Sequence, residues 1–132
     1  MGERSNTNEL ISHWVEKAAH DLGIAETLRR ENSPYFDGIC FHCQQASENM
    51  LKACLVHFEL EFKKSHNLSY LADLLEGKAE LSGHFYDMLE SLDGYAVEVR
   101  YPDVDAEPTR DEAYGAIDSA REIMEVLKAL LP

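Results

Sequence analysis

The chain has 132 residues and a formal net charge of −13, from 25 acidic and 12 basic side chains. That length suffices for one domain with a core needing neither disulfides nor metal. That charge disfavours a broad nucleic-acid-binding face, which depends on Lys and Arg neutralising phosphates. No run of about 18 apolar residues is present, so no transmembrane helix is expected. The first residues lack the apolar stretch of a signal peptide, so a soluble cytoplasmic protein is expected.

The apolar spacing is helical nearly throughout, and only four prolines and seven glycines interrupt it. A first helix is predicted over about Thr7 to Arg30, with Ile11, Trp14, Ala18, Ala25 and Leu28 in one stripe. Asp21 falls near the centre of that stripe, where a carboxylate is costly unless paired or hydrogen-bonded. It predicts a buried ion pair, a cap on a neighbouring helix end, or a carboxylate aimed into a polar pocket. Pro34 ends the segment by disfavouring helical geometry at Ser33.

A second helix is predicted over about Tyr35 to Glu61. Ile39, Cys43, Ala46, Met50, Ala53 and Leu60 make one face, while Phe41, Leu51, Leu55 and Phe58 lie opposite. A helix apolar on two sides is central in a bundle or has a second partner, which suggests a homodimer. Between the apolar faces lies a polar flank of Gln45, Glu48 and Lys52. His42, Asn49 and His57 read as hydrogen-bonded core residues. Cys40-x-His42-Cys43 has metal-ligand residue types, but His42 points well away from Cys40 on a helix, and no second cluster completes a tetrahedron. No metal is expected, and the three cysteines read as reduced packing groups.

A short third helix, Leu68 to about Leu75, follows a basic loop containing Lys63, Lys64 and His66; His66 could cap it. A fourth helix is predicted from about Leu81 to Val99, on a stripe of Phe85, Met88, Leu89, Leu92, Ala96 and Val99. Arg100 and Tyr101 follow, where a cation suits the helix end and its fork can grip a phosphate or carboxylate. Thr109-x-x-Glu112 is a capping box that opens the last helix. Four long helices and one short one predict an all-α, antiparallel up-down four-helix bundle with one additional short helix, as a single domain over 1–132. No nucleophile elbow or glycine-rich phosphate loop is present, so no catalytic residue is assigned.

In chain order, Trp14 with "AAHDLGIA", "YFDGICFHCQQASENMLKACL", "KKSHNLSYL", "EVRYPD" and the final alanine-containing helix resemble the HEPN family (higher eukaryotes and prokaryotes nucleotide-binding domain). The resemblance implies a helical bundle, a homodimer, and association with a small nucleotidyltransferase. It marks Asp21, Gln45, Glu48, Lys52, His66, Arg100 and Tyr101 as the recurring polar set. Lys52, His66, Arg100 and Tyr101 are the candidates for nucleotide or anion contact, with Asp21, Gln45 and Glu48 in support.

Ribonuclease members of the family carry an Arg followed after four to six residues by a His. Here the positions after Arg100 are Asp105, Ala106 and Glu107, and no other arginine meets the spacing. The chain therefore resembles the non-nuclease branch. The expected function is an accessory, nucleotide- or anion-binding partner of a nucleotidyltransferase; the alternatives are an RNase toxin of a toxin–antitoxin pair, or a pure protein-interaction module.

Overall fold

The computed structural model describes residues 2–96 and 106–132, with side chains from residue 6 onward. Five helices follow in order: α1 (Gly2–Arg30), α2 (Phe36–His57), α3 (Leu68–Asp73), α4 (Gly83–Asp93) and α5 (Arg110–Lys128). No strand occurs among the described residues. The fold is an all-α helix bundle, as the periodicity predicts.

Paired side chains fix the directions of the helices. Asp21 meets Asn49 while Trp14 meets Lys52, so α1 and α2 are antiparallel. Arg110 lies over Phe36 and Cys54 reaches the Leu127 carbonyl, so α2 and α5 run the same way. His84 meets Glu122, whereas Leu92 and Tyr95 line a groove with Glu112 and Ala116, so α4 opposes α5. The four long helices therefore alternate in direction.

Helix α2 is the axis of the core. Every residue from Ala46 to Leu55 is buried, including Met50, Leu51, Ala53 and Leu55 from both of its apolar sides. Each large side chain there contributes roughly 1.5–3 kcal/mol by leaving water. On the second apolar face, Leu51 and Leu55 are covered within one chain, while Phe41 and Phe58 are only partly buried.

Helix α1 ends at Arg30 as predicted, whereas α2 and α4 are shorter than predicted. Asn32 takes a left-handed φ of 54°, with Ser33 N donating to Leu28 O and Asn32 N to Arg29 O. This Schellman closure ends α1 before Pro34 can act. Glu59 does the same for α2 at φ 58°, with Leu60 N donating to Leu55 O and Glu59 N to Val56 O. Helix α2 thus stops short of the predicted Glu61, and residues 58–67 become a loop that returns along its flank. Helix α4 ends at Asp93 rather than reaching Val99, and residues 97–105 lie outside the described part. At α5 the capping box forms as predicted: Glu112 N donates to Thr109 Oγ1 and Thr109 N to Glu112 Oε1, each at 3.1 Å.

Candidate functional site

The polar residues of α2 follow from its central position. A helix surrounded by other elements cannot send them all to solvent, so each finds a partner inside the fold. Two clusters result, one against α1 and one against the returning loop.

In the first cluster Asp21 receives two bonds from α2. Its Oδ1 lies 2.8 Å from His42 Nδ1, and its Oδ2 accepts from Asn49 Nδ2 at 3.0 Å. The Asp21 side chain is 15% exposed and that of His42 24%. Asp21 therefore ties α1 to α2 and orients His42, not the cations of the polar flank. His42 is turned toward Asp21, away from any shared centre with Cys40 and Cys43, which are buried and in no disulfide. Among the described residues no three His, Cys, Asp or Glu side chains come together as a metal-holding group.

The second cluster centres on Glu48. Its Oε2 accepts from Lys52 Nζ at 2.9 Å, and its Oε1 lies 2.9 Å from His66 Nδ1. Gln44, completely buried, donates to the His66 carbonyl at 2.9 Å and also approaches Glu48 Oε1 at 3.4 Å. Gln45 donates to Gln44 Oε1 at 2.7 Å. Lys52 Nζ also lies 5.3 Å from the centroid of Trp14, as Lys17 Nζ does at 5.4 Å, a favourable position over an aromatic face.

Two expectations change here. Lys52 is only 10% exposed and its charge is matched by Glu48, so it does not project into an open groove. His66 does not cap α3; Asn67 accepts from Tyr70 N, and Asp93 of α4 accepts from Leu68 N at 2.8 Å. Instead His66 pairs with Glu48 while its ring remains 56% exposed. Because Nδ1 faces the buried carboxylate, Nε2 is the nitrogen presented outward. Lys63 and Lys64, both exposed, stand in the same loop. Arg100 and Tyr101 lie outside the described residues.

The structure thus brings Gln45, Glu48, Lys52 and His66 together and sets Asp21 apart in its own cluster. Gln44 is the member that the sequence reading missed. Its place one helical turn before Glu48 was the available signal.

The HEPN domain family model matches residues 11–130. Two solved structures are similar over 92% of this chain and 98% of their own. TT1696 from Thermus thermophilus is 26% identical with a TM-score of 0.81. ST0689, described as an archaeal HEPN homologue, is 25% identical with a TM-score of 0.75. Comparison with curated proteins gave no match.

Proposed function

This chain belongs to the HEPN domain family, and from that premise we propose that it binds a nucleotide or similar phosphate-bearing anion beside His66. In this reading it acts, as a homodimer, as the accessory partner of a small nucleotidyltransferase. The observation that carries the ligand reading is the Glu48–His66 pair. A buried carboxylate fixes one imidazole nitrogen at 2.9 Å, leaving the other free to donate to a phosphate oxygen when the ring is protonated. The loop adds two exposed cations, Lys63 and Lys64, on a chain that is otherwise strongly acidic. Lys52 acts from behind: it neutralises Glu48 and steadies its orientation. The dimer and the nucleotidyltransferase partner rest on the family alone.

The RNase alternative lacks the Arg-x4-6-His spacing on which that chemistry depends in the family. Thermal unfolding with nucleotides, inorganic phosphate and short RNA tests the ligand reading. A ligand at about 100 times its Kd stabilises the native state by about 2.7 kcal/mol. A shift for nucleotides that disappears in His66→Ala supports the site. No shift across the panel, with stable co-purification alongside a co-expressed nucleotidyltransferase, makes the chain a protein-interaction module instead.

A further inference from the structure

The chain has five phenylalanines, and four of them have a packing role. Phe85 is in the core, and Phe36, Phe58 and Phe62 pack against it. Among the described residues Phe41 does neither: it is half-buried, with part of its surface open, and it meets the ring of His42 edge-on at a centroid distance of 5.2 Å.

Its register is informative. Phe41, Gln45, Glu48 and Lys52 are spaced i, i+4, i+7 and i+11, which is one stripe of an α-helix. Phe41 heads the stripe, Gln45 stands one turn on, and Glu48 carries His66 one turn further. Seven residues of helix separate Phe41 from Glu48, a rise of roughly 10 Å. That span is comparable with the reach from the base to the phosphate of a mononucleotide. Gln45 is partly exposed and commits Nε2 to Gln44, while its Oε1 takes part in no bond among the described residues.

We infer that Phe41 is the stacking platform for a nucleobase, with Gln45 beside it contacting the base's polar edge and His66 at the phosphate end. This rests on the ligand reading given above and makes it specific: the ligand is a nucleotide, not a bare phosphate. Every base has a π face, so stacking on Phe41 supplies affinity without choosing the base. A glutamine amide presents both a donor and an acceptor, so Gln45 supplies what discrimination there is.

The test is calorimetric titration of the full chain with AMP, GMP, CMP, UMP, ribose 5-phosphate and inorganic phosphate. Wild type is expected to bind the nucleotides more tightly than ribose 5-phosphate. Phe41→Ala is expected to weaken nucleotide binding roughly five- to a hundredfold and to leave ribose 5-phosphate unchanged. Phe41→Tyr, which keeps the ring, is expected to bind as wild type, and Gln45→Ala to narrow the differences among the four bases. An unchanged melting temperature of Phe41→Ala without ligand confirms that the fold is intact. Equal binding of AMP by wild type and Phe41→Ala overturns the inference while leaving the phosphate site standing. Absence of binding by all six probes to wild type overturns the phosphate site itself, and this inference with it.

Discussion

Glu48 and Lys52 are joined at 2.9 Å with both side chains almost wholly withdrawn from water, 4% and 10% exposed. Such a pair is costly to break from one side only, because the remaining charge stays buried without its partner. Glu48→Gln is therefore expected to lower stability by about 3–5 kcal/mol. Replacing both residues with methionine is expected to cost far less, since no charge is left behind. Urea unfolding of the single and double variants checks this. Equal losses in the two would mean that solvent, not Glu48, supports the Lys52 ammonium.

Asp21 makes the corresponding link between α1 and α2. Asp21→Ala leaves His42 Nδ1 and Asn49 Nδ2 without their shared acceptor. Both bonds are partly shielded, so a loss of about 2 kcal/mol is expected, with Asp21→Asn losing less because it keeps an acceptor for Asn49. Denaturant midpoints of the two variants decide it. A wild-type midpoint in Asp21→Ala would show that water replaces the carboxylate at no cost.

The buried thiols predict an alkaline loss of stability. Burial pushes Cys54 from its ordinary 9.0 up to about 12. Cys43 is raised beyond the ordinary range, first by burial and then by Cys40, Glu26 and Asp118, with Arg121 opposing. Tyr86 moves the same way, from 10.0 to about 12, through burial and its bond to Asp73. Above pH 9 the unfolded chain releases thiol protons that the folded chain keeps, so the unfolded state binds fewer protons and stability falls as pH rises. This contribution is fully present below pH 9 and is lost through about pH 12, at about 1.4 kcal/mol per pH unit for each thiol. Urea midpoints from about pH 8 to about pH 11 are expected to fall less steeply in Cys54→Ala than in wild type. Identical slopes would place the alkaline loss on other groups.

Much of the architecture is legible without coordinates. The Thr109–Glu112 box of α5 and the two-sided pattern of α2 each follow from the rise and turn of one helix. The end of α2 is less legible than that of α1, because the left-handed residue that closes it is Glu59, not a glycine. At Glu59 nothing local announces the turn. The missing glycine signal also explains why the apolar pattern alone extends α2 to Glu61.

The site divides along the same line. Sequence by itself determined that Gln45, Glu48 and Lys52 share a flank of α2, because helical spacing is a local rule. It also placed Asp21 on an apolar stripe, which required a partner without naming one. Only the tertiary structure decided that the partner is the His42–Asn49 pair across α1 and α2, that Glu48 takes His66 from 18 residues away, and that Lys52 is shut in against Trp14. Those contacts depend on how a loop returns and how two helices are set against each other. The energies that select them are sums over the whole core, to which no single residue type is a guide.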